Sequence, residues 1–174
     1  MHNDLTTIAE TRYLRLVRRG KWEFVTRKSI TGIVGILAVT GDGKLVLVEQ
    51  FRPPVNASVI EIPAGLAGDN AAAAGEELAD AALRELEEET GYRAAQLELL
   101  TSGAASAGLS DEIITLFRAR GLTKVSEGGG DASESITVHE VPLDQVHDWL
   151  TNKARQGKVI DLKVYSALFF AHCR

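Results

Sequence analysis

The chain has 174 residues, 25% of them charged, and a formal net charge of −5 at pH 7. This length suits one domain with a full hydrophobic core, and the negative charge argues against a surface for nucleic acid or an anionic membrane. The single cysteine, Cys173, excludes a disulfide framework and a multi-cysteine metal site. We expect a cytoplasmic protein, because no apolar run reaches membrane-spanning length and residues 1–10 lack a signal-peptide hydrophobic stretch.

The part of the chain before residue 64 predicts β-structure, since runs of β-branched and aromatic residues alternate with turn residues. The predicted strands are two that flank a turn at 19–20 within 11–28, followed by 31–40, 45–51 and 58–63. The segment GDGK at 41–44 predicts a hairpin, and the apolar strands on either side of it predict central strands buried on both faces. Pro53 and Pro54 end the strand at 45–51, because proline cannot donate to a ladder.

The next stretch, residues 76–92, combines an amphipathic helix with a crowd of carboxylates. Apolar residues at helical spacing predict a buried stripe made of Ala79, Ala82, Leu83 and Leu86. Glu85, Glu88 and Glu89 stand at i, i+3 and i+4 and share another side. Gly91 predicts a left-handed end to the helix. The carboxylates therefore lie where the helix dipole disfavours negative charge.

Two explanations fit this acidic run. A solvated acidic face is the simpler one, because the dipole and like-charge penalties are each at most about 1 kcal/mol on an exposed surface. The other is a metal site, since several carboxylates focused on one patch suit a hard divalent cation such as Mg²⁺ or Mn²⁺. No Walker loop, zinc-type His/Cys cluster or Ser-His-Asp pattern competes with it.

The remainder of the chain mixes strands, a loop and helices. The predicted elements are strands at 96–102, 112–122 and 136–141, a Gly- and Ser-rich mobile loop at 126–135, and helices at 143–155 and 160–172. Strands interleaved with helices at this length indicate a sheet between helices, an α/β (α+β) class.

From residue 76 to residue 92 the chain resembles the Nudix hydrolase signature. That signature reads Gly-x5-Glu-x7-Arg-Glu-U-x-Glu-Glu-x-Gly-U, where U is a bulky apolar residue, and every specified position from Glu76 to Tyr92 matches. Gly65 departs from it, because it lies eleven residues before Glu76 where the pattern has six. The Ala-rich stretch 66–74 is therefore interpreted as a loop with five extra residues, which loop entropy tolerates.

The flanking segments are similar to the ADP-ribose and nucleoside-diphosphate-sugar pyrophosphatase branch of that family. They are residues 48–54, 61–65, 107–112 and 157–171. The resemblance implies one Nudix hydrolase domain over 1–174, with an α/β/α sandwich around a central mixed sheet. It also implies an N-terminal antiparallel hairpin over about residues 1–30 that takes part in homodimer contacts.

The activity that this resemblance implies is metal-dependent cleavage of a diphosphate bridge. The substrate would be a nucleoside diphosphate sugar of the ADP-ribose, ADP-glucose or GDP-mannose type, and the products a nucleoside monophosphate and a sugar phosphate. Ala107 stands where ADP-ribose enzymes often carry proline. The sequence therefore does not determine which nucleobase and which sugar the substrate carries.

The resemblance also assigns a metal site for Mg²⁺, with Mn²⁺ as an alternative. Glu85, Glu89 and the backbone carbonyl of Ala64 match the metal ligands. Glu88 matches a ligand in some members and a supporting carboxylate in others. Arg84 matches an arginine that holds the cluster by ion pairing, and a simple i, i+4 pair with Glu88 is the alternative.

A further catalytic carboxylate is assigned to the loop at 126–135. Glu134 matches a family glutamate and is the candidate for the general base or an extra metal ligand, with Asp131 as the reserve. The loop's glycines would let it close over substrate. A polar loop with no catalytic role is the alternative.

Five residues are assigned to substrate. Trp22 matches an aromatic that stacks on the nucleobase, with a core or interface aromatic as the alternative, and Arg27 matches an arginine that meets the diphosphate. Arg52 and Glu61 match residues that position substrate, and Gly108 belongs to the branch-like segment 107–112.

The sequence is also compatible with two other functions. One is a Nudix-fold sensor that binds a nucleotide without hydrolysing it, which the complete set of carboxylates disfavours. The other is a purely structural acidic helix, which does not explain Arg84 and Gly91 together.

Overall fold

The computed structural model describes residues 4–68, 75–130 and 135–172. The strands in these ranges are β1 (Leu5–Glu10), β2 (Leu14–Arg19), β3 (Trp22–Arg27), β4 (Gly32–Ala38), β5 (Lys44–Arg52), β6 (Ala57–Glu61), β7 (Ala64–Ala67), β8 (Tyr92–Arg93), β9 (Gln96–Ala104), β10 (Ile113–Arg120), β11 (Thr123–Lys124), β12 (Thr137–Pro142) and β13 (Val159–Ile160). The helices are α1 (Leu78–Thr90), α2 (Val146–Arg155) and α3 (Leu162–His172). No helix within these ranges combines the length and the apolar character that a membrane crossing needs.

The predicted α/β/α layering is confirmed, with the β layer divided into two four-stranded mixed sheets. One has the order β7-β4-β10-β9 and the other β12-β5-β6-β13, and each contains one parallel pair. Because neighbouring residues of a strand point to opposite faces, Ile36 of β4 packs in the core against α1, while Leu37 packs in the core against α2 and α3. The sheets are therefore covered by helices on both sides.

The hairpin predicted at GDGK was wrong. The chain does turn there, and the Thr40 hydroxyl donates to Asp42 Oδ1 at 2.5 Å, but a single bridge between Val39 and Leu45 joins the two flanking strands. β4 instead pairs with β7 and β10, and β5 pairs with β6 and β12. Strands that are apolar on both faces each take an interior place in a sheet, and the turn residues do not specify which sheet.

The N-terminal hairpin is confirmed as β2 and β3. They pair antiparallel through the turn that follows Arg19, where Gly20 adopts a left-handed φ of 61°. β1, which the sequence did not predict, pairs with β2 and completes a three-stranded sheet.

The buried stripe of α1 is rotated relative to the prediction. Ala81, Ala82 and Leu86 are fully buried, whereas Ala79 and Leu83 are exposed. The reason is that Glu89 also lies on the inner face, where its carboxylate reaches the backbone of β7. The acidic residues are thus not all on a solvated side of the helix.

Glu49 of β5 joins the sheet to α2 and to the segment before β13 through two lysines, and it also contacts His139 of β12. Its carboxylate lies 2.6 Å from Lys158 Nζ, 3.2 Å from Lys153 Nζ and 2.9 Å from His139 Nε2. Burial by itself would raise the pKa of Glu49, but hydrogen bonds from Lys158, His139 and Lys153 outweigh it and lower the pKa to about 2.

We expect Glu49→Gln to lower the free energy of unfolding by up to about 3 kcal/mol at pH 7, since one pKa unit corresponds to about 1.4 kcal/mol. The folded-state pKa lies below the ordinary glutamate value of 4.5, so ionised Glu49 stabilises the fold above pH 4.5. That contribution is lost as the pH falls towards 2. Urea unfolding at pH 7 and pH 3 measures the free energy of unfolding of both proteins. If Glu49→Gln lowered that free energy equally at the two pH values, the expectation would be contradicted.

Candidate active site

Two carboxylates of α1 meet the backbone of β7. Glu89 is 2% exposed, and its Oε2 accepts a hydrogen bond from the Ala64 N–H at 3.0 Å. Glu85, one turn earlier, packs so closely on Gly65 that a Cβ on that residue would lie 2.0 Å from the Glu85 carboxyl carbon. Only glycine leaves room for the carboxylate there. β7 thereby places the backbone of Ala64 and Gly65 against both acids.

Arg84 binds three carboxylates and a carbonyl. Its Nε and Nη2 donate to the two oxygens of Glu76 at 3.0 and 3.1 Å. Its Nη1 donates to Glu85 at 2.8 Å and to Glu88 at 3.0 Å, and Nη2 also reaches the Leu66 carbonyl at 3.1 Å. The hydrogen bond from Arg84 lowers the pKa of Glu76, and these carboxylates raise the pKa of Arg84. The i, i+4 contact with Glu88 is therefore one part of a larger network.

Glu76 was not assigned a site role by the sequence, although it occupies a specified position of the signature. It lies eight residues before Arg84 and just ahead of the first turn of α1. The signal was its fixed place in the motif, whereas its two hydrogen bonds from Nε and Nη2 of Arg84 became visible only in the structure.

The segment that follows β11 is anchored to the end of α1. The N–H groups of Gly129 and Gly130 donate to the carbonyls of Glu89 and Glu88 at 2.9 and 3.0 Å. Gly128 lies so close to the helix end that a Cβ would meet the Glu89 carbonyl at 2.6 Å. Residues 128–130 thereby pack on the end of α1 and supply donors that its last carbonyls lack within the helix. The mobility expected of the loop at 126–135 stays a prediction.

Asp131 and Glu134 lie outside the described residues. Their assignment as general base, extra metal ligand or reserve therefore stays a prediction. Gly130, the last described residue before them, donates its N–H to the Glu88 carbonyl.

Arg52 and Glu61 form an ion pair beside a cavity of about 590 Å³. Arg52 Nε lies 2.7 Å from Glu61 Oε2, and the Glu61 side chain is only 6% exposed. Glu61 ends β6 three positions before Ala64, so the short connection from β6 to β7 joins this cavity to the carboxylates of α1.

The other assigned substrate residues lie around the N-terminal sheet. Arg27 Nε pairs with Glu112 Oε1 at 2.6 Å, and the Val25 N–H donates to the Leu109 carbonyl at 2.8 Å. These contacts join β3 to the segment that contains Gly108. Trp22 lies at the other end of β3 and is 62% exposed. The structure therefore brings Arg27 and the Gly108 segment together, and leaves Trp22 on the surface.

The donor groups on α1 and β7 fit a hard divalent cation. Within the described residues no three carboxylate, histidine or cysteine side chains converge closely enough to hold a metal ion. Glu85 and Glu89 nevertheless offer oxygen atoms one helical turn apart against the same stretch of backbone, and Gly65 leaves space for one of them. The assignment of Glu85, Glu89, Glu88 and the Ala64 carbonyl as ligands for Mg²⁺ or Mn²⁺ stays a prediction.

We expect Gly65→Ala to abolish most of the activity while the fold survives. The new methyl group would occupy the position of the Glu85 carboxylate, and a flexible side chain moves more easily than a strand. Turnover and the thermal midpoint of both proteins measure the two effects. Gly41→Ala is the matched control, because a Cβ there meets nothing within 4 Å. Full activity in Gly65→Ala would show that the position of Glu85 is unimportant.

Comparison with known proteins places these contacts in a family. The NUDIX domain model matches residues 30–162. The methanol dehydrogenase activator of Bacillus methanolicus is 43% identical over 123 residues, which cover 70% of this chain and 64% of that protein. The ADP-ribose pyrophosphatase of Bacillus subtilis is 44% identical over 114 residues, covering 65% of this chain and 59% of that protein. The matched part is thus about three fifths of the length of these two relatives.

Among solved structures, the crystal structure of an ADP compounds hydrolase has the same fold. It matches with a TM-score of 0.69 and 23% identity, over 95% of this chain and 88% of that chain. The family match covers well over half of the residues and includes the whole of β4 to β13, together with α1 and its acidic face. The chain belongs to the Nudix domain family.

Proposed function

We propose that this protein is a divalent-metal-dependent hydrolase that cleaves the diphosphate bridge of a nucleoside diphosphate sugar. The substrate is of the ADP-ribose, ADP-glucose or GDP-mannose type, and the products are a nucleoside monophosphate and a sugar phosphate. The observation that supports this most is the placement of Glu85 and Glu89 against Ala64 and Gly65, with Arg84 beside them. The relative named ADP-ribose pyrophosphatase supports the substrate class.

Each residue at the end of α1 has a proposed role. When bound, Mg²⁺ or Mn²⁺ supplies the positive charge that screens diphosphate oxygens and makes an attacking water more acidic. Glu85, Glu89 and the Ala64 carbonyl would hold it, with Glu88 as a ligand or a support. Arg84 orients Glu85 and Glu88 through its two hydrogen bonds from Nη1. Because the guanidinium is planar and always charged, this orientation does not depend on pH in the physiological range.

The remaining assigned residues act on substrate and water. Arg52 offers a fixed positive charge at the cavity, where the buried Glu61 carboxylate orients it. Arg27 is proposed to meet the diphosphate and Trp22 the nucleobase, with Gly108 in the adjoining segment. Glu134 is the proposed general base, with Asp131 in reserve.

We also propose one domain over residues 1–174, located in the cytoplasm and assembled as a homodimer through the N-terminal sheet. That sheet exposes large apolar side chains, which are Leu5, Ile8, Tyr13, Leu14, Leu16 and Trp22. This concentration of exposed apolar side chains on one small sheet supports a contact with a second copy of the chain. Size-exclusion chromatography with light scattering tests the assembly, and a monomer would remove Trp22 from a shared pocket.

A product screen tests the activity. Nucleotide sugars, dinucleotides and nucleoside triphosphates are incubated with the protein and either Mg²⁺ or Mn²⁺, and the products are treated with a phosphatase that releases phosphate from monoesters. We expect phosphate from the nucleotide sugars, and none when the metal is chelated. Binding of ADP-ribose without turnover under either metal would favour the non-hydrolytic sensor instead.

A further inference from the structure

Outside the acidic helix, the structure contains a cavity that Arg52 and Glu61 line. It lies between the two four-stranded sheets, and its volume of about 590 Å³ is in the range of small-molecule sites. Most of its wall is apolar, from β6, β9, β10 and β13, and includes Val59, Ala104, Ile114, Leu116 and Val159. The first turn of α3 closes one side of it.

Gly103 keeps this cavity open. It stands inside β9 and pairs with Ile114, while Thr101, two residues earlier, pairs with Leu116. Residues two apart in a strand share a face, so a side chain at 103 would point towards the cavity together with Ile114 and Leu116. A Cβ at this position meets nothing within 4 Å. Glycine inside a strand often marks a place where a ligand approaches closely.

One end of the cavity carries charged groups of both signs. Glu61 Oε2 lies 2.7 Å from Arg52 Nε, and Glu61 Oε1 lies 3.9 Å from Lys163 Nζ. Lys163 Nζ also donates to Asp161, and the backbone N–H of Lys163 donates to Asp161 Oδ1 at 2.7 Å. Two cations face two carboxylates, so the group has no net charge.

This arrangement suits a neutral ligand that has many hydroxyl groups. A hydroxyl both donates and accepts, so a sugar diol can donate to a carboxylate and accept from an ammonium or guanidinium group at the same time. A diphosphate would meet the repulsion of Glu61 and Asp161 in the same place. The apolar walls suit the ring face of a pentose or hexose.

We propose that this cavity is the subsite for the sugar of the nucleotide sugar, and that Lys163 and Asp161 hydrogen-bond its hydroxyl groups. This inference rests on the proposed function, and it assigns the sugar of the substrate to this cavity. Its position agrees with that role. Glu61 is three residues before Ala64, and three residues of chain span at most about 11 Å, so a sugar bonded to a diphosphate at α1 reaches it.

Calorimetric titration with Lys163→Met tests the subsite. The probes are ADP-ribose, ADP-glucose and GDP-mannose, each compared with the nucleoside diphosphate that lacks the sugar. We expect Kd for a nucleotide sugar that the unaltered protein binds to rise about ten-fold, because a hydrogen bond from a charged donor is lost. Kd for ADP or GDP should change less than about two-fold. Arg155→Met, which removes a cation from the end of α2, is the control.

Gly103→Leu provides a second variant that does not depend on the charged group. Its side chain would fill part of the cavity without meeting protein atoms at the Cβ. We expect the same selective loss of nucleotide-sugar binding, with an unchanged thermal midpoint. Gly41→Leu is the matched control, since the space around a Cβ there is also open.

The outcomes separate this inference from the proposed hydrolysis. If the variants bound nucleotide sugars and nucleoside diphosphates more weakly by the same factor, the cavity would belong to the base or the diphosphate. Unchanged binding in both variants would also overturn the sugar subsite. Selective weakening without turnover would support the subsite and contradict hydrolysis. Turnover that neither variant affects would support hydrolysis alone. No binding of any nucleotide sugar by the unaltered protein would overturn both.

Discussion

Glu89→Gln is expected to lower turnover by more than about a hundred-fold while leaving the thermal midpoint nearly unchanged. Replacing groups that only support a metal ligand already reduces activity by about 10 to 100 times, and Glu89 is assigned as a ligand itself. The fold should survive because the glutamine carbonyl can still accept the hydrogen bond that Glu89 receives from the Ala64 N–H at 3.0 Å. Steady-state kinetics across a range of Mg²⁺ concentrations, together with thermal unfolding, measure both effects.

Glu87→Gln is the matched control for that experiment. It lies on the same helix two residues earlier, but its carboxylate pairs with the exposed Arg93 at 2.8 and 2.9 Å. We expect its turnover to stay within a factor of about two, because an exposed ion pair contributes little. If Glu89→Gln lost folding and activity together, or if both variants lost activity equally, the metal-ligand assignment of Glu89 would be contradicted.

Arg84→Met is expected to reduce stability and activity together. Its loss leaves Glu76 and Glu85, whose side chains are each 13% exposed, without their shared cation. Breaking a buried pair in this way destabilises a protein by about 3 kcal/mol or more, and the 26% exposure of Arg84 reduces the expected value to about 2 kcal/mol. Turnover should fall about 10- to 100-fold, as for a group that orients metal ligands. Urea unfolding and kinetics at pH 7 measure these effects.

The stability effect of Arg84→Met should depend on pH in a defined direction. Arg84 lowers the pKa of Glu76 below the ordinary glutamate value of 4.5, so this contribution is present above pH 4.5 and is lost as the pH falls through the folded-state pKa. The difference in unfolding free energy between the two proteins should therefore narrow in acid. Arg84→Lys should restore part of the stability but less of the turnover, because an ammonium cannot reproduce the forked hydrogen bonds.

Arg93→Met controls for the loss of a positive charge near α1. Arg93 and Glu87 are 63% and 38% exposed, and an ion pair this exposed contributes little to stability. A loss of stability as large as that of Arg84→Met would contradict the central position of Arg84 among the carboxylates.

Local features of the fold followed directly from the sequence. The end of α1 at Gly91 was predicted from one glycine, and the structure shows it as a left-handed cap with a φ of 72°. The helices predicted at 143–155 and 160–172 are present within two or three residues at their starts. These features depend on neighbours a few residues apart, so a single stretch of chain contains the information for them.

Features that depend on distant parts of the chain were not predictable in the same way. The pattern of apolar residues identified β4 and β5 as buried strands, but their places in two different sheets depend on which partners arrive from later in the chain. The anchoring of Gly129 and Gly130 at the end of α1 is a contact of the same kind. It joins residues about forty positions apart through backbone groups, which carry no side-chain signature.

The sequence by itself determined the family, the acidic helix and the residue types of its candidate metal site, because these are written as fixed spacings within one helix and its flanks. Only the tertiary structure decided that Gly65 makes room for Glu85, that Arg84 also binds Glu76, and that the charged pair at the start of α3 closes a cavity between two sheets. Packing and hydrogen bonding act between atoms that are close in space, and a linear sequence does not state which distant residues become neighbours.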